Sequence, residues 1–509
     1  MPEGPPHLRD AYDLIVVGSG SGGSAVTRRL VDAGHEVLLV EAGGDGRGEP
    51  VLEDPTRWIQ IAGGPFDWGH SYAPQAALGG RAIPIPRGRV LGGSGTTNAM
   101  MWYRGHPADY DRWAELGCDG WAWADCLPAF RASEDWLGPP STGRGTGGPL
   151  RIAPPADPHP LAEATIAAAE EAGLPRLADP NGPSNEGAGH ANFNIAQGRR
   201  FGPVDGYLAP VLDAPGLTVA LGTRALSLTW RGYRAAGLRL ARAGTVTEIT
   251  ARKGVVLAAG AFETPRLLML SGVGPEARLR ALGVPVVQPA PDLGENLQDH
   301  PLLRAVNFRA TAPLPPPRDN GGGAILNWRS RAAARPDLHA FPVAARSATP
   351  ELAAQYSLAE TGLFALALGL MGSKSRGRMA LTDTDPDAPL HLDPSFLSAP
   401  EDRDALRDGL AFVLEMARQP SLAALTDGPA HPVDDAFIPL ACATFYHPCG
   451  TARMGSDPGA VTDPRLRVRG REALWIADAS VIPEIPSCNT HSVVTMIGER
   501  AARFIQEAL

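Results

Sequence analysis

Two groups of residues in this 509-residue chain have types and spacing that could do chemistry: glycines near the start and two histidines near the end. Gly18, Gly20 and Gly23, in GSGSGG, have the spacing that lets a backbone turn tightly, approach a pyrophosphate and pack closely on a helix. Of the twelve histidines, most fall in expected tails, turns or proline-flanked loops. His447 and His491 stand apart. His447 lies in FYHPCGTARMG, where Pro448 forces it into an extended conformation and Gly450 lets the chain turn away. His491 lies in CNTHSVVTMIGER, just before a helix expected to carry Val494 to Phe504. An imidazole has a free pKa near about 6.5, so it can accept a proton around neutrality while staying partly neutral beforehand.

These groups need elements to hold them. Tyr12 to Val17 reads YDLIVV, a run of buried-strand character that leads straight into the glycine turn. SAVTRRLVDAGH then has helical spacing up to Gly34, and a second apolar strand runs from Glu36 to Val40 and ends at Glu41. Strand, glycine turn, helix, strand and acid in that order predict a βαβ unit with a dinucleotide on the helix N-terminus and Glu41 on the ribose hydroxyls. The expected contacts are Gly18, Ser19, Gly20, Gly23, Glu41 and Ala42; this unit alone leaves NAD and FAD both open. KGVVLAAGAFETPRLLMLSGVG is again strand, small-residue turn and helix, with Ala259 and Gly260 allowing close approach to the nucleotide. The run Gly92, Gly93, Ser94, Gly95 is nearly without side chains, so its backbone can lie against a flat ring system.

Composition narrows the field. The length exceeds the roughly 100–200 residues of one domain, so two domains are expected. A net charge of −9 and no basic stripe argue against nucleic-acid binding. Five cysteines with no metal-like pair read as free thiols in a reducing compartment, and no metal site is expected. The start, MPEGPPHLRDAYD, has Pro, Glu and Asp where an export leader has a basic start and an apolar stretch. The longest apolar stretch, around Leu363 to Met371, falls short of the ~20 residues that span a bilayer. A cytoplasmic protein without a membrane span is expected.

GRVLGGSGTTNAMMWYRGHPADYD (88–111), GAFETPRLLMLSGVG (260–274), PDLGENLQDH (291–300), YHPCGTARMG (446–455) and LWIADASVIPEIPSCNTHSVVTMIGERAA (474–502) together resemble the glucose-methanol-choline (GMC) family of FAD oxidoreductases. The resemblance covers nearly the whole chain, with residues 301–440 matching loosely. It implies FAD as cofactor, with Arg89, Gly92, Gly93, Asn98, Ala99 and Met100 along the isoalloxazine, Ala225 beside the adenine, and Asp478 and Ala479 near the ribityl and pyrophosphate. It implies His447 as general base and His491 as the partner that hydrogen-bonds the substrate oxygen, both facing flavin N5. Asn489 and Thr490 would hold His491 or the flavin, and Phe445 and Tyr446 would line the pocket. Several family members link the flavin through a histidine just before the asparagine of the first segment; Thr97 stands there, so non-covalent FAD is expected.

The resemblance implies an α/β (α+β overall) fold: a Rossmann-like FAD-binding domain with a mainly parallel sheet, and an antiparallel-sheet substrate domain roofed by helices. The FAD-binding domain is expected over 1–155, 197–300 and 441–509, and the substrate domain over 156–196 and 301–440. PLPPPRDNGGG (313–323) reads as a flexible proline and glycine stretch, either a lid or a disordered loop. His190, Asn192, Trp328 and His339 are conceivable pocket residues. The expected activity is oxidation of a small-molecule alcohol to an aldehyde or ketone, with electrons passing to oxygen or another acceptor. The alternatives are a hydroxynitrile lyase-like enzyme that keeps FAD as structure, and a flavoprotein without chemistry.

Overall fold

The computed structural model describes residues 8–509; residues 1–7, on which part of the reading against an export leader falls, lie outside the described residues. In the first of two large sheets, β1 (Ala11–Val17) pairs in parallel with β2 (Val37–Val40) and with the strand Thr245–Leu257. Leu217–Ala220 extends the parallel part beyond β2, and Leu474–Ile476 joins beside Val255–Leu257. The first half of Thr245–Leu257 instead runs antiparallel to Arg234–Arg242, which pairs with Thr223–Arg231. The sheet is mainly parallel, as expected. Leu14, Ile15 and Val16 are fully buried because both faces are covered, which is why β1 reads as continuous apolar sequence instead of an alternation.

Helix α1 (Ser21–Asp32) leaves the glycine turn and packs on the C-terminal helix Thr490–Ala508. Glycine permits that contact: a Cβ on Gly498 would lie 2.5 Å from the Gly22 carbonyl, while one on Gly22 would lie 3.4 Å from Val494 of that helix and 2.0 Å from the Ala477 carbonyl before it. Arg29 donates two hydrogen bonds to Glu499, at 2.8 and 2.9 Å, farther along the same interface. The two ends of the chain, 470 residues apart, are thereby locked together with residues 489–491 beside the glycine turn.

The second sheet is antiparallel. Pro301–Ala310 pairs with Leu363–Leu370, followed by Leu338–Val343, Ala324–Trp328 and Gly187–His190. Thr426–Pro429 and Cys442–Thr444 pair with the other side of Pro301–Ala310. Helices Pro160–Glu171 and Pro400–Met416 roof it. The roof is tight: a Cβ on Gly409 would lie 2.8 Å from Leu368, which faces the helix, whereas its neighbour Ala367 faces a cavity between the sheets. Cys442–Thr444 leads directly to His447, so an edge strand of the antiparallel sheet delivers that histidine.

Candidate active site

One long cavity joins both ends of this arrangement. At its nucleotide end, Gly18 has φ +95° and a Cβ there would lie 2.4 Å from the Ala258 carbonyl, so the turn requires glycine. A Cβ on Gly23 would lie 2.0 Å from the Gly18 carbonyl, which makes Gly23 a packing residue under the turn. Gly20, by contrast, meets protein only at 4.0 Å and opens onto the cavity. Glu41 accepts from Ser19 N at 3.1 Å, Ser19 Oγ at 2.6 Å and Gly43 N at 2.8 Å, and burial pushes its carboxyl pKa up against those bonds. Asp478 caps two helices: one oxygen accepts from Gly260 N and Thr264 Oγ1, the other from Ser480 N and Oγ.

At the other end His447 is held from three sides. Its backbone N–H donates to Asp299 at 2.8 Å, its Nδ1 lies 2.9 Å from His300 Nδ1, and its Nε2 lies 3.2 Å from Asn489 Nδ2. An amide N–H pointing at Nε2 requires a lone pair there, and neutral imidazole carries one proton. The proton therefore sits on Nδ1 and is donated to His300, leaving Nε2 as the acceptor. Burial, then the neighbouring His300 and Arg87, hold the His447 pKa well below the usual imidazole range, so the ring is neutral around pH 7. The residue before it carries strain: Tyr446 has φ +68°, and is fixed by its N–H on Thr444 Oγ1 at 2.8 Å.

His491 sits elsewhere in the same cavity. Its Nδ1 lies 2.7 Å from Ser21 Oγ, its ring stands edge-on to Trp102 at 5.4 Å, and burial pushes its pKa down to about 3. The group at His447 Nε2 is thus Asn489, while His491 pairs with α1. Ser19, Gly20, Glu41, Ala42, Gly93, Asn98, Ala99, Ala225, Ala259, Gly260, Asp478, Ala479, Thr490, Phe445 and Tyr446 all line the cavity. Four other residues named from the sequence do not line it. Gly23 packs under the turn; Gly92 donates its N–H to Ser19 Oγ at 2.9 Å; Met100 is buried with φ +59°; Arg89 is exposed and stacks on Trp68 at 4.7 Å. His190 pairs with Glu163, Asn192 with Arg144, His339 with Asn327, and Trp328 packs on Phe412, all outside the lining. Sequence reading missed Arg87, Leu302, Arg304 and Phe341 in the lining, and Asp299 and His300 behind His447. Asp299 and His300 do lie in the singled-out segment 291–300, which was their available signal.

FAD fits this arrangement. The glycine turn opens at one end, Glu41 lines that end, and two buried polar atoms, Asn489 Oδ1 and His491 Nε2, have no protein partner beside the cavity. The stretch 313–323 is tied over it, since Asn320 donates to the Ala99 carbonyl and accepts from Trp58 Nε1. Thr97 lines the cavity next to Asn98. A threonine hydroxyl forms no flavin link, so acid precipitation of the holoprotein should leave the flavin in the supernatant; a yellow pellet would overturn this. Among the described residues no group of histidines, cysteines and acids is placed to hold a metal, all five cysteines are free and buried, and no helix is long and apolar enough to cross a membrane.

Known proteins match the chain along most of its length. Two family profiles described as GMC oxidoreductase match residues 12–302 and 373–498. The oxygen-dependent choline dehydrogenase of Brucella anthropi is 34% identical over 530 residues, covering 97% of this chain and 95% of that protein. The pyridoxine 4-oxidase of Microbacterium luteolum is 35% identical over 504 residues, covering 96% and 98%. The crystal structure of pyridoxine 4-oxidase from Mesorbium loti superposes with a TM-score of 0.92 at 34% identity, covering 96% of this chain and 98% of that one.

Proposed function

The chain belongs to the GMC oxidoreductases, FAD enzymes acting on CH–OH donors, and from that premise we propose that it oxidises an alcohol to an aldehyde or ketone with His447 as the base. The observation that carries the reading is the convergence of His447 Nε2 and Asn489 Nδ2, at 3.2 Å, in the cavity that begins at the glycine turn. FAD, when bound, supplies the acceptor for the hydride leaving the carbinol carbon. On binding, the substrate hydroxyl takes the place of the Asn489 N–H at His447 Nε2; His447 takes the hydroxyl proton there and the freed Asn489 N–H holds the hydroxyl oxygen, so that two groups fix the orientation of the bond to be broken. Asn489 takes the orienting role that the sequence had suggested for His491. His300 accepts the Nδ1 proton of His447 and so keeps the lone pair on the reacting side. Phe445, whose ring lies 4.7 Å from that of His447, helps exclude water.

Oxygen is the proposed electron acceptor, a reading supported by the names of the two relatives, an oxygen-dependent dehydrogenase and an oxidase. The test is anaerobic mixing of the holoenzyme with primary, benzylic and sugar alcohols. The flavin band near 450 nm should bleach with at least one alcohol and return on admitting air, with peroxide formed. No bleaching by any alcohol would favour the lyase alternative.

A further inference from the structure

Four arginines line the cavity: Arg87, Arg224, Arg266 and Arg304. Arg224 and Arg266 pair with Glu263, at 2.8 and 3.3 Å, and Arg87 is attracted to buried Asp299. Arg304 differs. Its one side-chain hydrogen bond among the described residues is donated to the Tyr446 hydroxyl, over whose ring the guanidinium also lies, at 5.4 Å. No carboxylate of the described residues pairs with it. The acids that line the cavity are engaged elsewhere: Glu41 on Ser19 and Gly43, Asp67 on Gly63, Gly69 and Arg87 N–H groups, Glu263 on its arginines, and Asp478 on two helix starts.

The backbone holds Arg304 in place. It shares a strand with Leu302, which also lines the cavity; Ser347 Oγ donates to its carbonyl; and Tyr446, its side-chain partner, immediately precedes His447. The surrounding wall is apolar: Leu302, Phe341, Val343, Ala367 and Phe445, with the Phe341 and Phe445 rings stacked at 5.6 Å. A guanidinium with unused donors in an apolar, partly desolvated wall attracts an anion and repels a cation more strongly than it would in water. A cationic alcohol, such as the choline in one relative's name, would meet like charge.

We propose that the substrate is an alcohol bearing a carboxylate on an apolar, ring-sized body, with Arg304 binding the carboxylate while the hydroxyl lies at His447. The planar fork of one guanidinium can pair both oxygens of one carboxylate, and its single positive charge balances that monoanion. The proposal rests on the reading of His447 as the base, but binding can be measured without turnover.

Calorimetric titration of the holoenzyme with 4-methylbenzoate and its neutral counterpart 4-methylbenzamide separates the two. The acid should bind about 10-fold or more tightly than the amide, and Arg304→Met should abolish that preference. Equal affinity for the two, no measurable binding by the acid, or a preference that survives Arg304→Met overturns the proposal. In turnover, the ratio of kcat/KM for 4-(hydroxymethyl)benzoate over benzyl alcohol should fall by a similar factor in the variant. That ratio is independent of how much of the variant folds, because both substrates are read on one preparation. If anions bind through Arg304 but no alcohol bleaches the flavin, the assignment of His447 fails and the carboxylate site stands.

Discussion

Replacing His447 by alanine is expected to slow anaerobic flavin reduction by ~10²-fold or more while FAD stays bound. His447 makes the acceptor available at Nε2, and removing it leaves the alcohol proton without a base at that position, since His300 lies behind His447 and the group beside Nε2 is the Asn489 amide, not His491. The nucleotide end, built on Gly18, Gly20 and Glu41, has no hydrogen bond to His447 and should hold FAD as before. Stopped-flow reduction and the flavin to protein absorbance ratio measure the two parts. An unchanged reduction rate would sink the role. The wild-type pH profile gives a second reading. The free imidazole titrates near about 6.5, but burial holds the His447 pKa well below that, so the neutral form persists as pH falls. The reduction rate at about pH 6 should therefore match that at about pH 8, and an acid limb centred near the free-histidine value would contradict the burial argument.

Asp299→Ala is the second substitution with a large expected effect, this time on stability and activity together. Asp299 is 3% exposed and accepts from the Tyr72 hydroxyl at 2.7 Å, from Thr444 Oγ1, and from the His447 N–H at 2.8 Å. Alanine would leave three buried donors unsatisfied and remove a carboxylate that attracts the buried Arg87 guanidinium. At roughly 1 kcal/mol or more per unsatisfied group, the cost is about 3 kcal/mol, seen as a lower urea midpoint. Flavin reduction should also slow by about 10-fold, because the His447 backbone loses its anchor beside the strained Tyr446. Tyr72→Phe, which removes one bond, should cost about 1 kcal/mol and leave reduction nearly intact. An Asp299→Ala protein with wild-type midpoint and rate would show that the carboxylate neither supports the fold nor positions the base.

Much of the nucleotide end was legible because its chemistry is local. A turn with φ near +95° at Gly18 and a Cβ-intolerant contact at Gly23 leave their mark in the chain as glycines at fixed spacing, and a strand buried on both faces shows as an unbroken apolar run. Arg89 was misread for a related reason: the segment that carries it is at the site, but the side chain points outward onto Trp68, and Arg87 two residues earlier lines the cavity. Sequence placed the segment, and the conformation of the loop chose the side chain.

What the sequence by itself determined is the βαβ unit with its glycine turn and Glu41; its resemblance to a family implied the parallel and antiparallel division of the sheets and the meeting of His447 with the 489–491 segment. Only the tertiary structure decided that Asn489 meets His447 Nε2 while His491 turns to Ser21. The physical reason is that Asn489 still has extended backbone, at φ −59° and ψ 139°, whereas His491 is already in a helix, so residues two apart leave in different directions. Which direction faces the cavity is set by the docking of that helix on α1 at Gly22 and Gly498, a contact between residues more than 470 positions apart that no local pattern encodes. Arg304 is hidden in the same way: whether its side of a strand faces a cavity or a helix depends on the sheet it joins, and the bulge after Leu303 resets the alternation within that strand.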